Sequence, residues 1–432
     1  MEDGRWLVLR IVIEWDPRTI IINGDIEPMS RSVLIGWELG AGNGHIQRIL
    51  PLAEAFLADG WQVTAALRDT VRARSQLSAI LPHPNFKLIQ APIFLHERRQ
   101  AYADSLALTL ANMGFAETEL LAPVVSAWRS LISSLAPAVI VSDIAPSLNI
   151  AAQGAAPLIV VGNGWTLPPV GAIEHDYFRG SQKPARSAGE AILAAARAVG
   201  FAGREFTDVL RGTQNFVCVP AELDPYRSKR ARELYWPLEM ATPAATRSSG
   251  RRRGIIYLPG DHSARQLVCD AAASAAIPFQ AYFGDGQPQH PSITVRDRPI
   301  DFATELPASG IVIHHGGLGT AAWCLLNRVP QLICPQDFEK YLVARCVIEH
   351  GFGGAFPAST NETELAGAIL SATGLVPDPP SYSQMITHSG DQTVAAILER
   401  AAGLYQGKLP TRPLVATISV PAKVVCTTAQ EG

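Results

Sequence analysis

Three segments of the chain combine residue types that can move a proton with types that can hold an anion. The first is Gly40-Ala41-Gly42-Asn43-Gly44-His45. Gly40, Gly42 and Gly44 let backbone approach a ligand closely, and a helix opening there presents unpaired N–H groups. His45, in the first turn of that helix, can take a proton from a hydroxyl, provided a carboxylate fixes its tautomer and supports the imidazolium. Asp143 follows the apolar run Ala138–Ser142. It therefore falls at the carboxyl end of a strand, where the ligands of open α/β sheets gather. A bare tight turn, with His45 and Asp143 acting only as helix caps, accounts for the same residues.

The second segment is Ile311-Val312-Ile313-His314-His315-Gly316-Gly317-Leu318-Gly319-Thr320. A buried strand runs into a glycine turn and then a helix. The N–H groups of Gly317–Thr320, the Thr320 hydroxyl and the helix dipole all favour an anion such as phosphate. His315 adds a donor or a positive charge. The segment is not a Walker A loop, because no Gly-Lys-Ser/Thr follows. Adjacent histidines diverge and no acid–His partner sits at helical spacing, so a metal site is not expected. The third segment, Pro335–Ala344, leaves a strand and opens a helix. Its polar side chains suit ligand hydroxyls, and Asp337 also suits a helix N-cap.

These segments need a scaffold, and the hydrophobic pattern supplies one. Val33–Trp37, Trp61–Leu67, Phe86–Gln90, Ala138–Ser142 and Leu158–Val161 read as strands in a first block. Gly254–Leu258, Ile277–Phe283, Ile311–His314 and Gln331–Cys334 read as strands in a second. Helical periods fit 46–58, 101–135, 146–155, 263–275, 318–327, 338–350, 361–372 and 382–403. This alternation predicts two α/β units with parallel sheets, joined by the Pro/Ala/Thr/Ser-rich stretch 237–254, with a ligand cleft between them. The length of 432 residues accommodates two or three domains with full hydrophobic cores. A net charge of -3 argues against a nucleic-acid binder. Six scattered cysteines without CxxC spacing point to a reducing, cytoplasmic setting. No apolar run reaches the ~18–20 residues of a membrane helix, which leaves room only for peripheral membrane contact. The globular pattern starts after Met29, which predicts that Met29 is the biological start and that 1–28 is an extension.

The stretches GHIQRILPLAEAFLADGWQVTAAL and HHGGLGTAAWCLLNRVPQLICPQDFEKYLVARCVIEHGFGGAF resemble GT-B-fold glycosyltransferases of family 1, the bacterial macrolide/UDP-glycosyltransferase type. The resemblance runs over about 33–400. It implies two facing Rossmann-like domains: an acceptor domain over 31–236, a linker over 237–253 and a nucleotide-sugar domain over 254–380. A last helix over 381–404 returns to the first domain, between an extension at 1–30 and a tail at 405–432. It implies His45 as catalytic base and Asp143 as its supporting acid. His315, Gly316, Gly317, Gly319 and Thr320 would hold the donor diphosphate, and Glu339 and Lys340 the donor sugar. The implied reaction inverts the anomeric centre, moving a hexosyl group from a UDP- or dTDP-sugar to a hydroxyl of a small hydrophobic acceptor. It uses no cofactor and no metal, and the enzyme is a monomer or homodimer.

Two departures matter. Many relatives carry Asp-Gln where this chain has Glu339-Lys340, which exchanges an amide for a cation. Plant-like relatives carry a ribose-binding acid where this chain has Trp323. Phe302 is a candidate for stacking on the base. Core packing accounts for Phe302 equally well. Trp37, Glu38, Met113, Phe115 and Trp165 lie in segments that could line the acceptor pocket, although aromatics in such segments are more often core than ligand contacts. Competing readings are a nucleotide-sugar epimerase or glycolipid glycosyltransferase of the same fold, and an auxiliary protein that has lost transfer. Asp69, after the second strand, is the acid a dinucleotide fold would need, but a dehydrogenase does not explain HHGGLGT.

Overall fold

Runs of β-branched and aliphatic residues, too short for helices, form the strands of two six-stranded sheets in the computed structural model of the chain. Residues 19–22, 25–28, 31–40, 42–94, 103–170, 182–230, 238, 253–284, 290–373, 375 and 390–407 are described. The first unit contains β3 (Ser32–Trp37), α1 (Gly44–Ala58), β4 (Gln62–Leu67), α2 (Thr70–Gln76), β5 (Phe86–Gln90) and α3 (Leu106–Asn112). It continues through α4 (Thr118–Leu135), β6 (Val139–Asp143), α5 (Pro146–Ala152), β7 (Leu158–Gly162), α6 (Gln182–Ala198) and β8 (Gln214–Val217). It is preceded by an antiparallel pair, β1 (Thr19–Ile22) with β2 (Asp25–Pro28). The second unit contains β9 (Arg253–Tyr257), α7 (Arg265–Ser274), β10 (Phe279–Tyr282), β11 (Ile293–Val295), α8 (Phe302–Glu305) and β12 (Ser309–His314). α9 (Leu318–Leu326), β13 (Gln331–Ile333), α10 (Phe338–Glu349), β14 (Gly353–Ala355) and α11 (Glu362–Thr373) complete it, and α12 (Gly390–Tyr405) ends the described chain.

Both sheets are parallel throughout, in the orders β5-β4-β3-β6-β7-β8 and β11-β10-β9-β12-β13-β14. Their central strands are buried on both faces, as parallel strands flanked by helices must be. α1 shows how sequence sets this packing. Ile46, Ile49, Leu52, Ala53, Phe56 and Leu57 are buried along one stripe, three and four residues apart.

The strands expected at 86–90 and 158–161 lie where the pattern puts them, within a residue. Three expectations differ. Asp143 is the last residue of β6 rather than the residue after it. The helical stretch expected over 101–135 is two helices, separated at Gly114 (φ 101°), with Ser105 capping α3 through the Leu108 N–H. β1 and β2 occupy part of the stretch read as preceding the globular pattern. They flank Asn23-Gly24, the dipeptide that favours two-residue hairpin turns. The expected linker falls almost wholly outside the described residues, as do the segment 381–389 before α12, Met29 and the tail beyond 407.

The two units share one apolar cluster. Val217, Val219, Ala221 and Leu223 of the first pack with Ala322 and Leu325 of α9 and Leu342, Val343 and Cys346 of α10. α12 lies against α1, where Ile397, Ala401 and Leu404 join the core containing Phe56 and Trp61. Tyr405 meets Trp61 edge-on at 5.8 Å. No helix among the described residues is long and apolar enough to cross a membrane. Replacing Ile397, which is fully buried, with Ala should cost about 2–5 kcal/mol by transfer and cavity loss. Thermal melts of wild type and Ile397→Ala test this; coincident melts would show that α12 does not share the first unit's core.

Candidate active site

Each sheet reverses its strand order once, β3 beside β6 in the first and β9 beside β12 in the second. The loops leaving such neighbouring strands diverge and open a crevice. His45 and Asp143 meet in the first crevice, with Nδ1 of His45 2.8 Å from Oδ2 of Asp143. Trp37, the last residue of β3, stacks on the imidazole with centroids 5.0 Å apart and planes 21° from parallel. The chain then turns through Gly40 at φ 85°, a conformation that favours glycine. A Cβ there would stand 2.5 Å from Nε2 of His45, over the ring nitrogen that Asp143 leaves open. The imidazole is thus held by stacking on one face and by a carboxylate at Nδ1, with Nε2 presented beside the glycine.

Asp143 is 1% exposed and has a second partner, Arg48 Nη1, 2.8 Å from Oδ1. Burial pushes this carboxyl up, but Arg48 and His45 outweigh it and hold Asp143 below the ordinary carboxylate value. An ionised Asp143 accepts the Nδ1 proton of neutral His45, which leaves Nε2 as the acceptor.

The second crevice holds the histidine–glycine turn. His314 is fully buried; its Nδ1 accepts the Gly316 N–H at 3.1 Å and its Nε2 donates to Gln331 Oε1 at 2.9 Å. Burial and the neighbouring His315 push it down to about 3. Burial, then Lys340 and His262, push His315 down to about 4. His315 is therefore neutral near neutral pH, which favours the donor role among the two expected of it. Its Nδ1 is buried with no protein partner. Gly317 caps α9, so the first-turn N–H groups of Leu318, Gly319 and Thr320 face the same crevice end. Nothing lies within 4 Å of a Cβ built on Gly319.

The two crevices are joined by a chain of polar side chains at the start of α10. Asn163, just after β7, donates Nδ2–H to Glu339 Oε1 at 2.9 Å. Glu339 Oε2 accepts from Lys340 Nζ, also at 2.9 Å. Burial pushes Glu339 up, but Lys340, His45 and Asn163 outweigh it and hold the carboxylate low. Burial pulls Lys340 down, but Glu339 and Asp337 outweigh it and hold the ammonium high. Asp337 is the N-cap of α10, accepting the Lys340 N–H at 2.9 Å. A small hollow between the units is lined by Asn163, Gly164, Trp165, Leu318, Glu339 and Leu342. The Asn163 loop is braced from below: the Arg230 guanidinium, paired with Asp224, donates to the carbonyls of Gly164 and Leu167 at 2.8 and 2.7 Å.

Among solved structures, the calicheamicin glycosyltransferase CalG4 matches over 88% of this chain and 100% of its own, with a TM-score of 0.63 and 14% identity. The kitacinnamycin glycosyltransferase matches over 86% and 99%, with a TM-score of 0.62 and 16% identity. The glycosyltransferase VinC, solved in complex with dTDP, matches over 87% and 100%, with a TM-score of 0.56 and 16% identity. The fold is GT-B. In sequence, the chain is similar to the 10-deoxymethynolide desosaminyltransferase of Streptomyces venezuelae, 32% identical over 109 residues, 23% of this chain and 25% of that protein. It is also similar to the elloramycin glycosyltransferase ElmGT of Streptomyces olivaceus, 42% identical over 65 residues, 15% of this chain and 17% of that protein. The matched stretches thus span a quarter or less of these curated relatives. No family model matches the chain.

Within the GT-B frame, most of the other candidate residues belong to the core or to helix starts. Trp37 and Phe115 are fully buried, so Trp37 serves His45 and Phe115 serves the core. Glu38 is buried too, accepting the Ser147 N–H at 3.0 Å at the start of α5. Met113 packs against the first unit's core, whereas Trp165 does line the hollow. Phe302 packs against Tyr257 with centroids 5.1 Å apart, and Asp69 caps α2. Arg48 and Asn163 were not singled out by sequence. Arg48 sits three residues after His45, on the same helix face, and that spacing was the available signal. Asn163 had none, because its partner is 176 residues away.

Two outcomes follow from this geometry. Arg48→Met leaves the buried Asp143 with one partner and should destabilise the fold by about 3–5 kcal/mol, as broken buried pairs do. A chemical melt equal to wild type would refute that. Burial raises Glu38 from 4.5 to about 8. The native chain then binds a proton that the unfolded chain has lost between those values, so this residue's stabilisation falls as pH rises from 5 to 8. Melting wild type and Glu38→Gln at pH 5 and pH 8 should show the variant gaining on wild type at the higher pH.

Proposed function

We propose that this chain is an inverting glycosyltransferase that moves a hexosyl group from a nucleoside-diphosphate sugar to a hydroxyl of a small hydrophobic natural-product acceptor. The observation that carries the reading is the clamped His45–Asp143 pair of one unit, with Glu339 of the other unit tied to the first through Asn163. Nε2 of His45 takes the acceptor's hydroxyl proton, the oxygen attacks C1 of the sugar from the face opposite the leaving group, and the C1–O bond to the diphosphate breaks. Asp143 supports the imidazolium and is kept charged for that task by Arg48. The diphosphate fits the first turn of α9, with Gly316, Gly317, Gly319, Thr320 and His315 around it. The helix dipole there favours the developing negative charge. Glu339 suits hydroxyls of the donor sugar.

The solved structures support a nucleotide sugar of the UDP or dTDP kind, since VinC is in complex with dTDP and LpCGTa with UDP. They also support an aglycone acceptor, since the rhamnosyltransferase SpnG is complexed with the spinosyn aglycone at a TM-score of 0.53. The donor is a co-substrate, and the reading requires no cofactor or metal.

Thermal-shift binding of UDP, dTDP, GDP, CDP and ADP should single out one nucleoside diphosphate. A ligand at 100 times its Kd adds about 2.7 kcal/mol of stability. His45→Ala should leave that binding unchanged while lowering turnover roughly 10²–10⁴-fold. Full turnover in His45→Ala, or no response to any diphosphate, would refute the assignment.

A further inference from the structure

A leaving diphosphate needs positive charge where its bond to the sugar breaks, and His315, pushed down to about 4 by burial and then by Lys340 and His262, does not bring it. Lys340 packs directly on the glycine turn: Gly316 sits at φ 94°, and a Cβ built there would stand 3.0 Å from both the Cβ and the carbonyl oxygen of Lys340. Lys340 is also the strongest charged influence on His315. Its ammonium is tethered, not loose. Glu339 holds Nζ at 2.9 Å, and Asn163 of the facing unit holds Glu339. Asp337 caps the helix that carries both. Its side chain is 19% exposed, so the cation is largely withdrawn from open surface.

We propose that Lys340 is a catalytic residue whose ammonium meets the donor diphosphate beside the α9 N-terminus, aimed there by Glu339, a role that rests on the nucleotide-sugar reading above. As the acceptor oxygen bonds to C1, the electron pair of the breaking C1–O bond passes to the diphosphate oxygen. The acceptor proton goes to His45 Nε2. Lys340 gives up no proton; it balances the charge that arrives on the phosphate. Glu339 keeps one oxygen on Lys340 and offers the other, released by Asn163, to the sugar. Division of labour follows: His315 serves as a neutral hydrogen-bonding neighbour, and Lys340 supplies the charge. A sugar-facing role for Lys340 is the competing possibility, and nucleotides without a sugar separate the two.

The experiment compares binding of UDP or dTDP, whichever the wild type prefers, with the matching monophosphate and nucleotide sugar. Isothermal titration is run on wild type, Lys340→Gln and Lys340→Arg, with melts to confirm folding. Lys340→Gln should bind the diphosphate tenfold or more weaker and the monophosphate within about twofold of wild type. Its kcat should fall on the order of 10²–10³-fold, the cost of losing one donor to a developing oxyanion. Lys340→Arg should keep much of the diphosphate affinity, because the charge remains. Wild-type diphosphate affinity in Lys340→Gln overturns the proposal. So does an equal loss for monophosphate and diphosphate, or a loss confined to the nucleotide sugar, which would make Lys340 a sugar contact. A wild type that binds no nucleoside diphosphate overturns the nucleotide-sugar reading itself, and is recognised before any variant is measured.

Discussion

A carboxylate buried at the meeting point of two strands organises the first half of this molecule. Asp143 is almost without solvent, and a charge in that position persists only with partners on both oxygens. His45 and Arg48 are those partners, and both come from α1. The helix must therefore start where it does and turn the face that it turns. Gly40 lets the chain pass close by the His45 ring, and Trp37 at the end of β3 fills the space against the imidazole. A change in any of these positions propagates to the one nitrogen left open, Nε2. The apolar stripe of α1 and the fit of α12 against it secure the same helix from behind.

The second half answers with a different economy. Its crevice is built from backbone more than from side chains: a glycine turn, a helix N-terminus and one buried histidine, His314, that ties the turn to β13 through Gln331. The charged groups sit beside it, at the start of α10, where Asp337 caps the helix and Glu339 holds the Lys340 ammonium at 2.9 Å. Asn163 then makes a hydrogen bond that no single unit contains.

Much of this was legible in the sequence, for a physical reason. Parallel strands buried on both faces read as unbroken apolar runs, so Val33–Trp37, Leu158–Val161 and Ile311–Ile313 stand out, and the glycine turns after β3 and β12 mark the crevices. The pairing of His45 with Asp143 was readable because the carboxyl ends of neighbouring strands must converge. What was hidden depends on weak contrast or long range. β11 and β14 are three residues each, too short for a pattern; α6 has a face, with Ala185, Ala188, Ile192 and Ala196 buried, but alanine gives it little contrast in sequence. The charge state of His315 depends on burial and on Lys340, which lies 25 positions further along the chain, and no local rule carries that. Asn163 and Arg230 act through partners that only the folded chain brings near.

The apolar cluster shared by the segment 217–223 and helices α9 and α10 bears on cooperativity. A two-sheet molecule is ordinarily expected to come apart as two independently melting bodies. Here the first sheet's own core continues into the second unit, so parting the units strips apolar cover from both at once. Loosening one half therefore costs the other part of its interior. The shared seam therefore couples the melting of one sheet to that of the other.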